Sequence, residues 1–172
     1  MPPQLESPLS ANITKALSDK LYEKRKSAAL QIENIVQTAV QSEDFNRIEQ
    51  IINVLTYDFA YSPLSNSRNG GLIALAAVAL ALGQASIKDY LNVIVPPIIA
   101  CMLDQDAHVR FYACESIYNV AKVARGEILI YFNDIFDCLS KLASDSEPHV
   151  RSGVDLTDRL IKDITAERVA FW

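Results

Sequence analysis

Two heptapeptides carry the side chains best equipped for chemistry. Asp104 to Arg110 reads Asp-Gln-Asp-Ala-His-Val-Arg, and Asp145 to Arg151 reads Asp-Ser-Glu-Pro-His-Val-Arg. Each sets carboxylates, an imidazole and a guanidinium within seven residues. A carboxylate beside an arginine is a candidate catalytic pair, and a histidine is a candidate metal ligand. The duplication argues against both readings. An active site rarely needs a second copy of itself, whereas a repeat architecture does. His108 and His149 hold the same place in the two copies. In stacked helices they would stand about one repeat apart, ~10 Å, too far to share a zinc ion. Neither has a cysteine or second histidine nearby, so both read as turn residues.

The rest of the chain offers no alternative chemistry. It contains no GxSxG, P-loop, GxGxxG or HExxH motif and no Cys/His dyad at a useful spacing. An enzyme is not expected, and neither a cofactor nor a metal is. Cys101, Cys114 and Cys138 sit in apolar helical contexts with no CxxC pair, which suits buried, reduced thiols. The net charge of -5 and the lack of a basic stripe exclude a nucleic-acid surface. One dense basic cluster, Lys20, Lys24, Arg25 and Lys26, reads as a solvated helix start, with an anionic-lipid contact as the alternative. After Met1, Pro2 and Pro3 the chain is polar, unlike a signal peptide. The longest apolar run, Leu72 to Leu82, has 11 residues, short of the roughly 18 a bilayer span needs, and reads as a buried core helix.

The elements that position the heptapeptides follow from the spacing of cations. Lys26, Arg68, Arg110 and Arg151 are 42, 42 and 41 residues apart. Three residues after each anchor stand Ala29, Gly71, Ala113 and Val154; ten after, Val36, Val78, Val120 and Ile161; thirteen after, Ala39, Ala81, Val123 and Ile164. Offsets of 3, 10 and 13 trace one face of a helix. Each anchor therefore opens an amphipathic trailing helix. A leading helix precedes it: Tyr90–Ile94 matches Tyr131–Ile135 at a spacing of 41. The first two leading helices are expected near 8–20 and 44–61, and Pro96-Pro97 predicts a bend in the third.

The spacing predicts an all-α fold, an α-solenoid of four HEAT-like helical hairpins in a single array over 1–172, with repeats near 8–41, 44–84, 86–125 and 127–165. Two helices per unit and short linkers favour HEAT over armadillo. The heptapeptides then fall in the turns between paired helices. Asp106 can cap the third trailing helix, and Asp145 or Ser146 the fourth, with Pro148 in its first turn. Asp104, Asp106, Arg110, Asp145 and Arg151 form a structural turn ladder, pairing within or between repeats.

A binding face is expected on the trailing helices, which usually line the concave side of such an array. At the non-core offsets stand Ile73, Phe111, Glu115, Tyr118, Lys122, Leu156 and Arg159. Leucine, isoleucine and aromatic rings where the repeat grid expects solvent, rimmed by charge, are how a protein-binding patch looks. The plainer alternative buries Leu156 and Phe111 against neighbouring helices. An uncapped last helix would expose Leu156, Leu160 and Ile164.

LYEKRKSAALQIENIV (Leu21–Val36), SRNGGLIALAAVALALG (Ser67–Gly83), VRFYACESIYNVAKVARG (Val109–Gly126) and FDCLSKLASDSEPHVRSGVDLTDRLIKDI (Phe136–Ile164) resemble the N-terminal region of the vacuole-morphology scaffold family, called ArPIKfyve in animals. The resemblance runs from about Asn12 to Ile164. It implies a non-catalytic scaffold that binds a PIKfyve/Fab-type lipid kinase, which converts phosphatidylinositol 3-phosphate to the 3,5-bisphosphate. It also implies a Sac-type phosphoinositide phosphatase in the wider complex and a place on the cytosolic face of the vacuole or late endosome. Family members are much longer, so the chain is expected to be an N-terminal fragment. Self-association and phosphatase binding are expected in a C-terminal region that this sequence lacks. The alternative function is a membrane-adaptor module touching anionic lipid.

Overall fold

A computed structural model describes residues 6–170; the Pro2–Pro3 start and the Phe171–Trp172 end lie outside the described residues. The chain folds as four helical hairpins in chain order: α1 (Ala11–Leu17) with α2 (Tyr22–Gln41), α3 (Phe45–Val54) with α4 (Ser65–Ser86), α5 (Leu91–Met102) with α6 (Ala107–Ala124), and α7 (Phe132–Leu142) with α8 (Pro148–Ala170). No strand occurs among the described residues. The fold is thus an all-α solenoid. The trailing helices α2, α4, α6 and α8 pack side by side, while successive leading helices touch sparsely. The stack therefore curves toward its trailing layer. Tyr22 on α2 reaches past α4 to stack on Tyr112 of α6, with centroids 6.0 Å apart.

The 3.6-residue period sets this layering. On α2, Ala29, Ile32, Val36 and Ala39 are buried at offsets 3, 6, 10 and 13 from Lys26, and on α8 Val154, Thr157, Ile161 and Ile164 are buried at the same offsets from Arg151. Neighbouring hairpins close one continuous core across these faces, which no hairpin could bury alone. Ile164 is 1% exposed and Leu160 is packed partly against the core, so of the three residues expected to be exposed on α8 only Leu156 is open.

α4 is the centre of the stack. Glycines let its second turn approach its neighbours: a Cβ on Gly70 would lie 1.9 Å from the Leu17 carbonyl oxygen, and one on Gly71 2.7 Å from the Ala60 nitrogen. With its 3-10 extension to Asp89, α4 is the one described helix long and apolar enough to cross a membrane by length and composition, yet it is largely packed inside the array.

The leading layer is less regular than its period suggests. The second leading helix widens into a π-helix at Leu55–Ala60. α5 is continuous through Pro96 and Pro97, and α4 is interrupted by a non-helical residue at Gly83, where φ is 67°. That positive φ is one only glycine adopts freely. The basic cluster also departs from expectation: Arg25 is 4% exposed, not solvated.

Candidate functional site

The two heptapeptides build turns. Asp19, Ser62, Asp104 and Asp145 head the four turns, and each side chain accepts the backbone N–H two residues on, from Leu21, Leu64, Asp106 and Glu147. Each also offers its carbonyl to an arginine six residues later: Arg25, Arg68, Arg110 and Arg151 donate Nη1 at 2.8, 3.0, 3.0 and 2.6 Å. An arginine fits because one guanidinium has donors to spare for the next repeat. Asp106 accepts from the His108 and Val109 nitrogens and so caps α6.

The spare donors link repeats. Arg110 donates Nε and Nη2 to the two Asp145 oxygens at 2.8 and 3.1 Å, a bidentate pair. That contact holds the Asp145 carboxyl below its usual range and raises Arg110 above its own. Arg68 meets Asp104 one repeat earlier, with Nη2 donating at 3.1 Å and Nε 2.8 Å from Oδ2 without hydrogen-bond alignment. These two rungs run from Arg68 and Arg110 to the turn of the following hairpin.

The first hairpin breaks the pattern. Its turn-binding cation is Arg25, one residue before the expected anchor Lys26. Arg25 takes the buried position that Ser67, Val109 and Val150 hold in the other repeats. Its Nη2 lies 3.5 Å from the Tyr112 hydroxyl and its guanidinium 5.7 Å from that ring's centroid. Lys26 is exposed and lies over the Tyr22 ring. Of the remaining cluster, Lys24 pairs with Asp19 at 3.5 Å.

Two hollows open along the trailing-helix face. Phe111, Glu115 and Tyr118 of α6 and Leu156 of α8 line the one between those helices. Leu156 is 54% exposed there, while Phe111 and Tyr118 are half-buried. Lys122 is exposed, its ammonium 6.0 Å above the Tyr118 ring. Ile73 lies in the other hollow, floored by α4 between α2 and α6. Glu115 and Asn119 border both, so the two are contiguous across α6. Arg159 is exposed and borders neither.

Sequence spacing did not mark Tyr22, Leu30, Leu80, Tyr112, Asn119 or His149 as surface partners of these residues, though all line one hollow or the other. Leu80 shared an offset with Lys122, and its signal was available. Tyr22 and Tyr112 meet only because the stack curves, which spacing does not encode. His149 packs edge-on to Phe111, and no cluster of three or more metal-ligating side chains occurs among the described residues. The three cysteines are buried and unpaired; burial pushes the Cys101 and Cys114 thiols up to about 12, and Cys138 upward as well.

Among solved structures, the chain is similar to a designed armadillo repeat protein (TM-score 0.58, 18% identity, covering 87% of this chain and 63% of that one). It is also similar to a computationally designed armadillo repeat protein for modular peptide recognition (TM-score 0.59, 18% identity, 86% and 62%). Identity that low shows the repeat-solenoid fold alone. The chain is 53% identical over 165 residues to the vacuole morphology and inheritance protein 14 of Saccharomyces cerevisiae, covering 94% of this chain and 18% of that protein. It is 51% identical over 165 residues to a VAC14 homolog of Arabidopsis thaliana, covering 96% and 22%. The chain therefore spans about a fifth of the length of these relatives. Residues 66–163, from α4 to α8, match the family described as the Vacuolar 14 Fab1-binding region. By that match over more than half its length, the chain belongs to the Vacuolar 14 family.

Proposed function

We propose that this chain is the kinase-docking part of a non-catalytic scaffold, and that the trailing-helix face around Leu156 seats a PIKfyve/Fab-type lipid kinase. The observation that carries the reading is a coincidence of position. The family match, described as Fab1-binding, covers the helices that leave Leu156 and the half-buried rings of Phe111 and Tyr118 facing one hollow. A large aliphatic side chain half in solvent, with aromatic neighbours and a charged rim, suits an anchor at a protein interface. Ile73, Glu115, Lys122 and Arg159 extend the surface around it. Through the longer protein the scaffold would join the kinase to a Sac-type phosphatase on the cytosolic face of the vacuole or late endosome. The curated relatives, known by their vacuolar name, support the vacuolar part of this reading.

The test is capture of the kinase by this chain, wild type beside Leu156→Arg, with circular dichroism on both. The expected result is loss of capture with helix content and melting unchanged. Equal capture by both proteins overturns the Leu156 anchor. Flotation with anionic vesicles in the absence of kinase would favour the membrane-adaptor alternative.

A further inference from the structure

The hollow over α4 carries a specification for its occupant. We infer that it takes an apolar side chain from the docked kinase, flanked by a lysine or arginine that pairs with Glu33 and Glu115; this rests on the kinase-docking reading above.

Three observations converge. First, α4 is apolar on every side from Leu72 to Leu82, and such a stretch of helix is normally buried on every side. α2, α6, α1 and the π-helical segment cover most of it. One stripe faces a hollow rather than a neighbouring helix: Ile73, Ala76, Ala77 and Leu80, spaced as one helical face, with Leu80 47% exposed, Ile73 half-buried and the two alanines buried at its bottom. The two alanines make a floor lower than its walls. Second, the opening is concave, about 180 Å³, walled by Tyr22 and Leu30 on one side and Tyr112 on the other. A bilayer is flat at this scale and would not reach the floor, whereas a side chain on a helix or strand would. Third, Glu33 and Glu115 border it, and neither forms an ion pair among the described residues. The lining cation, Lys26, lies over the Tyr22 ring, 5.9 Å from its centroid. Two carboxylates without ion-pair partners, against one lining lysine, leave the rim net negative beside an apolar floor and favour a segment that is apolar and basic. Glu115 and Asn119 also border the Leu156 hollow, so one continuous segment could span both.

Two variants test this in the kinase capture assay. Leu80→Glu puts a charge on the floor, and Glu33→Lys reverses the rim at a residue that borders this hollow and not the other. Leu80→Glu is expected to weaken binding about tenfold or more. Glu33→Lys is expected to weaken it less and to flatten its dependence on salt. Should Leu80→Glu lose helix content, Glu33→Lys on the rim decides. Binding that survives both substitutions yet falls with Leu156→Arg overturns this inference and leaves the docking reading standing. A wild-type chain that captures no kinase sinks the docking reading and this inference together. Flotation with phosphatidylserine vesicles that Leu80→Glu abolishes would also overturn it.

Discussion

At the scale of single residues, Arg110 and Asp145 join two hairpins through one bidentate contact, their side chains 15% and 7% exposed. Exposed pairs such as Asp158–Lys162 contribute about 0–1 kcal/mol. Arg110 and Asp145 lie between these and a fully buried pair, where removing one partner costs about 3–5 kcal/mol, so losing the bidentate contact should cost about 2 kcal/mol. Asp145→Asn should therefore lower the melting temperature by roughly 4–8 °C for a chain of this size. Its pH dependence has a definite sign. Arg110 holds the folded Asp145 carboxyl below its usual range, so the unfolded chain takes up that proton at higher pH. The stabilisation is fully present above the ordinary carboxylate value, around 4, and is lost as pH falls through the lower folded value. Thermal melts of Asp145→Asn should accordingly flatten below that pH relative to wild type; parallel curves would count against the linkage. The duplicated heptapeptide made this pair legible as a ladder. It could not choose between pairing within and between repeats, since that depends on where the next turn is stacked. Nor did it show Arg25, which does the work of an anchor from a position where the other repeats put a buried small or apolar residue.

Among the elements, the trailing helices were legible because four copies of one periodic pattern average out local noise. The leading helices were legible in place, with 11–17 and 45–60 inside the expected 8–20 and 44–61, but their irregularities were not, because those answer to neighbours. The π-helix at Leu55–Ala60 packs on α4, and the break at Gly83 gives no periodic signal. Helix starts show the same limit. Leu64 and Asp106 occupy equivalent N-cap positions with nearly the same backbone, φ −91° and ψ 123° against φ −84° and ψ 124°. Asp106 caps α6, while Leu64 makes no side-chain cap and is exposed. Leu64→Asp should therefore stabilise the chain by about 1 kcal/mol, with Asp106→Ala costing a similar amount, both measurable by urea unfolding. If Leu64→Asp leaves stability unchanged or weakens it, Leu64 contributes packing that its exposure hides. Gly70 makes the opposite prediction. Its missing Cβ admits the Leu17 carbonyl, so Gly70→Ala gains helix propensity on α4 yet drives α1 away. Overpacking of about 1–3 kcal/mol should prevail over a propensity gain of about 1 kcal/mol or less. Reduced stability in the same unfolding experiment is the expected outcome.

Across the whole molecule, curvature is what spacing left out. It brings Tyr22 to Tyr112 past α4 and turns a stripe of α4 into the floor of a hollow, so half of the candidate surface emerges only from the stack. A stack of this kind is quasi-one-dimensional: each hairpin is held by its neighbours, and an outer hairpin has fewer of them than an inner one. The thiols report that gradient. Cys101 and Cys114 lie in the third hairpin and Cys138 in the fourth, all buried, and the first two are pushed up to about 12. Almost no reactive thiolate exists at neutral pH in the closed state, so labelling requires opening. In mild urea Cys138 and Cys114 should react with a thiol reagent before Cys101, because detaching α7 and α8 uncovers Cys138 and the face of α6 on which Cys114 packs against Gly153 and Thr157, while Cys101 stays packed on Ala60 of the second hairpin. Asp145→Asn removes the ion pair between those two hairpins and should speed Cys138 labelling several-fold more than Cys101 labelling. Mass spectrometry of the labelled peptides separates the sites. If all three thiols react at one rate in both proteins, the array opens as a single unit, and the Arg110–Asp145 rung stabilises the whole stack rather than the joint it spans.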